Sequence, residues 1–205
     1  MNDYEIAIKT LKLADSKLGA LIDRVGDCRL SQVQQPGDLL YSLARSIVYQ
    51  QLSTKSATAI HTRFLEFYHD QGITPEAILA TPDESLRAIG FSRQKIAYLK
   101  DLAQNIQTGL PTLEVLETLE DEEIIQTLTK VKGIGRWTVQ MLLIFRLHRW
   151  DVLPVDDLGI RSGIRRVYDL AELPTKKQVL ALGKVWQPYC TIASWYLWRS
   201  LDFPD

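Results

Sequence analysis

Two stretches of the 205-residue sequence hold residue types able to do chemistry. In Pro154-Val155-Asp156-Asp157-Leu158-Gly159-Ile160 two adjacent acids stand where a helical pattern begins. A carboxylate at such a place either caps the helix by accepting from its first N–H groups, or, in a pocket poor in water, faces developing positive charge or activates a water. The second stretch, Leu128-Thr129-Lys130-Val131-Lys132-Gly133-Ile134-Gly135-Arg136-Trp137-Thr138, puts two glycines around one apolar residue between two helical patterns. Glycine permits a tight turn and close backbone approach. A helix starting directly after Gly135 turns its free N–H groups and positive dipole end outward, a seat for phosphate. Lys130, Lys132 and Arg136 add charge there. A plain helix–turn–helix connection has the same appearance, because so short a glycine motif is common.

The elements that must position these residues read as helices throughout. Apolar residues recur at three and four, and stop signals punctuate them. A first amphipathic helix is expected from about Asp3 to Val25. A second begins near Asp38, after Pro36-Gly37, with Leu39, Leu40, Leu43, Ile47 and Val48 on one face. A third runs from about Ser53 to a stop at Gly72. Two short helices then open with Thr74-Pro75 and Thr81-Pro82, each placing a capping hydroxyl before a first-turn proline. A longer helix follows from Ser92 to Thr108. The acid-rich segment from Glu114 to Glu123 reads as a solvated face whose charges favour the next helix N-terminus. Beyond the glycine hairpin come a helix to about Leu147, a helix from Asp157, and C-terminal helices divided near Pro188. The fold class is therefore all-α.

Composition narrows the function classes. With 24 basic and 25 acidic side chains the formal net charge is −1, which supplies no global argument for a nucleic-acid partner. Cys28 and Cys190 are the only cysteines, too few for an iron–sulfur cluster or a cysteine-rich zinc site. The charged N-terminus and the lack of a long apolar run give no sign of a signal peptide or membrane span, so a cytoplasmic location without membrane contact is expected.

Val131-Lys132-Gly133-Ile134-Gly135-Arg136-Trp137-Thr138, followed by Leu153-Pro154-Val155-Asp156-Asp157-Leu158-Gly159-Ile160, resembles the helix-hairpin-helix DNA glycosylases, specifically the 3-methyladenine DNA glycosylase II branch. Ser46-Ile47-Val48-Tyr49-Gln50-Gln51-Leu52-Ser53 is similar to the helix and loop that carry the family's wedge, which fills the gap left by an extruded base. Trp186-Gln187-Pro188-Tyr189 and Ala193-Ser194-Trp195-Tyr196-Leu197-Trp198 are similar to its closing helices. The matching segments run from position 46 to 198.

The resemblance implies two helical lobes with a DNA-binding cleft between them. Lobe one is expected over roughly residues 30–125, and lobe two over residues 1–29 plus 126–205. It implies Asp157 as catalytic carboxylate, with Asp156 as the neighbouring alternative, and a pocket drawing on Trp137, Trp198, Met141 and Tyr49. Core packing is the competing account of the tryptophans. Met141 replaces a further pocket aromatic found in a bacterial member. DNA contacts are expected from Gln51, Leu52, Ser53, Gly133, Gly135, Arg136 and Thr138, with Gln51 or Leu52 as the wedge. The backbone carbonyls of Thr129, Val131 and Ile134 would hold a structural Na⁺ or K⁺, and no cofactor is required. Strand-cutting members carry a lysine two residues after the second hairpin glycine; Trp137 stands there instead, so no Schiff base is expected.

The implied activity is monofunctional removal of alkylated purines from double-stranded DNA by a monomer. The alternatives are a noncatalytic helix-hairpin-helix DNA-binding protein and a glycosylase for oxidised or mismatched bases.

Overall fold

A computed structural model describes residues 3–33 and 36–204. The described residues form α-helices and short 3₁₀ turns, with no strand among them. The chain packs as two compact units, Met1–Gln34 with Gln140–Asp205, and Gln35–Val139. The boundary thus falls after the glycine hairpin, which belongs to the central unit rather than to the unit of the chain ends.

The first unit opens with α1 (Asp3–Ala14) and α2 (Ser16–Val25). The single helix expected over this stretch is broken at Asp15, whose carboxylate caps α2 by accepting from the N–H groups of Lys17 and Leu18 at 3.1 and 3.0 Å. Long-range partners select that break. Asp15 Oδ2 also accepts from the indole N–H of fully buried Trp186 at 3.0 Å and from the Tyr168 hydroxyl.

In the central unit, α3 (Leu39–Tyr49) starts after Asp38, which caps it through Tyr41 N–H, and it buries Leu39, Leu40, Leu43, Ile47 and Val48 as its periodicity predicts. Helix α4 (Thr54–Phe67) is capped by Ser53 and ends short of Gly72. Thr74 and Pro75 begin α5 (Pro75–Ala80) as expected. Thr81 does not cap α6 (Asp83–Ala88); its hydroxyl instead donates to Ala77 O at 2.7 Å and accepts from the Tyr68 hydroxyl, leaving Pro82 at the cap. Ser92 caps α7 (Arg93–Gln107), and α8 (Leu113–Leu116) is a single turn. The acidic run lies where its charge suits the helix dipole: Glu120 and Glu123 form a capping box at α9 (Asp121–Leu128), whose first turn holds Asp121, Glu122 and Glu123.

Helix α10 (Arg136–Phe145) begins one residue after Gly135. The first unit is completed by α11 (Leu158–Val167), α12 (Lys176–Gly183) and α13 (Cys190–Arg199). Helix α13 is buried from Cys190 through Leu197. It packs on α11 where Gly163 replaces a side chain, since a Cβ there would lie 2.4 Å from the Leu197 carbonyl oxygen. Tyr196 ties α13 to the end of α2 by donating to Gly26 O at 2.9 Å.

Candidate active site and nucleic-acid interface

Asp157 stands at the N-cap of α11, half-buried, and its Oδ1 accepts from Ile160 N–H at 2.8 Å. The cap that local chemistry predicts is therefore real. The same oxygen accepts a second hydrogen bond, from the Trp198 indole N–H at 2.9 Å. That indole stacks on Phe145, with ring centroids 5.7 Å apart and planes 27° off parallel. Gly159 makes the approach possible: a Cβ there would sit 2.8 Å from Trp198 Cδ1 and 2.9 Å from Asp157 Oδ1. The carboxylate is thus oriented by two donors, one from its own helix and one from α13. Asp156 is exposed and forms an ion pair with Lys176 at the start of α12, 2.5 Å apart. Gln140, buried in α10, steadies the preceding loop by donating to Leu153 O at 3.4 Å.

The hairpin lies in the other unit. Gly133 has φ +81°, the left-handed region open to glycine, and the Tyr98 ring lies against it so closely that a Cβ would be 2.2 Å from Tyr98 Cδ2. Gly135 is different, with nothing within 4 Å of an added Cβ. Its backbone is open to an approaching ligand, and α10 starts next to it. The hairpin is held from α7, where Asp101 accepts from Lys132 N–H at 2.9 Å and pairs with Lys132 Nζ at 3.2 Å. Arg136 also has an acidic partner, its Nη2 lying 2.7 and 2.9 Å from the two carboxylate oxygens of Glu122. Two of the three cations expected to charge the phosphate seat are therefore partly neutralised. Among the described residues, Lys130 has no such ion pair.

The turn between α3 and α4 shares this unit. Gln51 is exposed with φ +56°, an uncommon conformation for a residue bearing Cβ. Leu52 is 40% exposed, and Ser53 is occupied in capping α4. Gln51, Gly133, Gly135, Trp137 and Thr138 line one concavity of about 400 Å³, to which Gln50, Lys95 and Tyr98 also contribute. Trp137 is 46% exposed, so core packing does not account for it, whereas Thr138 is buried. Tyr49 is half-buried under the Arg45 guanidinium, 4.5 Å from its ring centroid, and its hydroxyl lies 3.1 Å from Thr58 Oγ1. Met141 is half-buried in α10.

The three carbonyls expected to hold a cation can be tested against the turn. Val131 O accepts from Ile134 N–H at 3.1 Å, which leaves one lone pair. Thr129 follows the last residue of α9 and Ile134 precedes Gly135, so all three carbonyls belong to the hairpin's non-helical bend. Hard carbonyl oxygens of this kind fit Na⁺ or K⁺ in donor chemistry. Among the described residues no cluster of three or more His, Cys, Asp or Glu forms a metal centre.

Residues 44–188 match the model of the HhH-GPD superfamily of base excision DNA repair proteins. The chain belongs to that superfamily. It is 43% identical over 193 residues to DNA-3-methyladenine glycosylase 1 of Schizosaccharomyces pombe, covering 93% of this chain and 85% of that protein. A solved structure of the S. pombe 3-methyladenine DNA glycosylase in complex with abasic DNA is similar with a TM-score of 0.85 and 41% identity, over 96% of this chain and 97% of that one. A DNA-3-methyladenine glycosidase structure from Bacillus halodurans has a TM-score of 0.83 and 37% identity, over 94% and 88% of the two chains.

The HhH-GPD match takes in Asp157, the hairpin and the Gln51 turn, while Trp198 lies beyond it. Asp157 and Trp198 are each readable in the sequence, but the hydrogen bond joining them and the part played by Gly159 are not. The partner of a glycine's missing Cβ comes from another helix, so no local pattern discloses it. Gln50 and Tyr98 are hidden from the sequence for the same reason, and Lys95, readable there only as a basic residue able to touch phosphate or a solvated face, instead donates to Val48 O.

Proposed function

We propose that the protein is a monofunctional DNA glycosylase that hydrolyses the N-glycosidic bond of alkylated purines of the 3-methyladenine and 7-methylguanine type, leaving an abasic site for base excision repair. The observation that carries this reading is the doubly oriented carboxylate of Asp157 at the N-terminus of α11. The S. pombe relatives, whose names specify 3-methyladenine and one of which is bound to abasic DNA, support the substrate class and the product.

The chemistry follows from charge. A base inside a duplex is out of reach, so the nucleotide must leave the stack at a cost of a few kcal/mol. An alkylated purine already carries positive charge and departs as a neutral base without first being protonated. As the bond from C1′ to the purine nitrogen breaks, positive charge moves to the sugar. The Asp157 carboxylate stabilises that charge and takes a proton from the water whose oxygen joins C1′. Because Ile160 N–H and the Trp198 indole already fix its Oδ1, little reorganisation is needed when charge appears. Trp137, in place of an amine nucleophile, leaves no route to strand cleavage through a Schiff base. Its half-exposed indole face suits a cationic base, an attraction of about 0.5–2 kcal/mol.

Phosphate binding is assigned to the backbone N–H groups at Gly135 and the start of α10, with Gln51 as the wedge. The carbonyls of Thr129, Val131 and Ile134 would hold a Na⁺ or K⁺, which supplies positive charge beside a phosphate. The partner is double-stranded DNA carrying a damaged base, engaged by one protein chain in the cytoplasm, and the hydrolysis calls for no redox cofactor.

The test is incubation with methylated DNA and chromatography of the freed bases. Release of 3-methyladenine or 7-methylguanine is expected from the wild type. Asp157→Asn is expected to lose release by at least a hundredfold, an estimate on the order of what acid–base groups contribute, while still binding abasic-site DNA. Full release by Asp157→Asn defeats the mechanism. Binding to abasic DNA without release by the wild type favours the noncatalytic alternative.

A further inference from the structure

The turn joining α3 to α4 is anchored to the hairpin by a residue that the proposed mechanism does not yet use. Gln50 leaves helical conformation at the end of α3, with φ −58° and ψ 130°, and its side chain turns toward the hairpin. The amide nitrogen donates to Gly133 O at 2.8 Å. A carbonyl can only accept, so the end of the Gln50 amide facing Gly133 must be its NH₂ group. The next residue, Gln51, is the one held at φ +56°. A left-handed conformation is unfavourable for a residue with Cβ, and it persists only where the surroundings fix it.

Two further contacts stiffen the same place. Lys95 of α7 donates to Val48 O, one of the α3 carbonyls that lack a helical partner, and burial holds its ammonium below the usual lysine range. Tyr98, one turn further along α7, presses its ring against Gly133 on the side where a Cβ would lie, and its hydroxyl accepts from Gln94. Gly133 O is therefore a fixed acceptor on a bend packed from behind. The Gln50 amide spans from that acceptor to the strained residue in one step.

We infer that Gln50 is a positioning residue for base extrusion: it locks the left-handed turn bearing Gln51 to the hairpin bend at Gly133, so that wedge and phosphate seat act as one rigid piece. This rests on the proposed glycosylase reading, in which Gln51 fills the gap left by the extruded nucleotide. A rigid wedge matters only while the duplex is being opened. A lesion that is already unpaired demands less unstacking and so depends less on Gln50.

Gln50→Glu keeps the size of the side chain but replaces the NH₂ donor by an acceptor facing another acceptor. Its test compares single-turnover release of one alkylated purine from fully paired DNA and from the same lesion in an unpaired bulge, with thermal midpoints recorded for both proteins. Loss of one half-buried hydrogen bond corresponds to an effect of up to roughly tenfold. The expected result is a roughly tenfold slower release from paired DNA and less than a twofold change on the bulge, with a thermal midpoint lowered by only about 2–4 °C, so that both proteins stay folded in the assay. Equal losses on both substrates, or no loss on paired DNA, overturn the inference. Extrusion is also read without catalysis, from the fluorescence of a 2-aminopurine beside the lesion in the Asp157→Asn background. Adding Gln50→Glu there is expected to lower the fluorescence gain on binding, and an unaltered gain counts against the inference. If the wild type releases no base at all, the glycosylase reading fails by itself, and the fluorescence comparison still decides the role of Gln50.

Discussion

Gly159 is where the proposed chemistry has least room. The Trp198 indole reaches Asp157 Oδ1 only because nothing projects from the second residue of α11, and an alanine methyl there would stand within 3 Å of both partners. Neither can retreat easily: the indole stacks on Phe145, and Asp157 is fixed by Ile160 N–H. Gly159→Ala is expected to push the indole off the carboxylate. The cost in stability is about 1–3 kcal/mol, as for other overpacked sites. The cost in rate is larger in proportion, because displacing a reacting group by about 1 Å lowers rates by up to about a hundredfold. Base release measured under single-turnover conditions should therefore fall between roughly tenfold and a hundredfold, with abasic-DNA affinity little changed. Undiminished release by Gly159→Ala would mean that the Trp198 contact contributes nothing to the reaction. Gly135→Ala is the contrasting variant. No atom lies within 4 Å of its added Cβ, so the fold should tolerate it, and any defect should appear in DNA binding.

At the scale of elements, the break between α1 and α2 depends on one carboxylate. Asp15 caps α2 and receives the Trp186 indole and the Tyr168 hydroxyl, so Asp15→Ala removes a helix cap and strands two donors. A cap contributes about 1 kcal/mol, and a buried donor left without an acceptor costs about 1–3 kcal/mol. A loss of about 3 kcal/mol is expected, lowering the thermal midpoint by roughly 6–12 °C for a chain of this size. Burial works against the charge on Asp15, yet the N–H groups of Leu18 and Lys17 with the Tyr168 and Trp186 donors together hold its carboxyl below the usual range. A lowered folded value means that this stabilisation is present above about pH 4, the ordinary aspartate value. It is lost as the pH falls through the folded value, because the unfolded chain binds the proton more readily. Denaturation of the wild type as the pH falls below about 4 should therefore show an acid-labile component that Asp15→Ala lacks; parallel pH profiles for the two proteins would remove Asp15 from this role. The same residue shows why some elements were legible in the sequence and others were not. Ser92, Thr74 with Pro75, Asp38 and Asp157 cap helices with their own neighbours, so local chemistry announces them. The apolar period runs unbroken from Leu11 to Leu18, and what selects a break at Asp15 is a tryptophan far along the chain. Thr81 misled for a similar reason, since its hydroxyl is taken by Tyr68 and Ala77. In the candidate site, the residue types of the hairpin and Asp157 were readable, whereas Gln50, Gly159 and Gly163 act only through partners brought in by other helices.

The molecule as a whole carries a formal charge of −1, unusual for a protein assigned to a polyanion. Its attraction for DNA must then come from a few local groups and from backbone dipoles rather than from an overall field. The hairpin shows how few side chains are available: Lys132 is paired with Asp101 and Arg136 with Glu122, so both arrive at a phosphate already partly neutralised. Helix N–H groups at the start of α10 release no counterions of their own, and only a cation that displaces bound salt steepens the salt dependence. The affinity for abasic-site duplex should accordingly fall gently with salt. Lys130, exposed at the same bend and without an acidic partner among the described residues, is expected to contribute most of that slope. Lys130→Ala should weaken binding at low salt and reduce the slope of log Kd against log salt concentration by about one, whereas Lys132→Ala should change it by clearly less, because its ammonium is already neutralised by Asp101 and displaces fewer counterions from the strand. Titrations from about 50 to 200 mM salt, the range over which such contacts separate, decide between the two lysines. Equal slopes for both variants would show that the ion pair with Asp101 dissolves on binding, and the hairpin would then present its full positive charge to the strand.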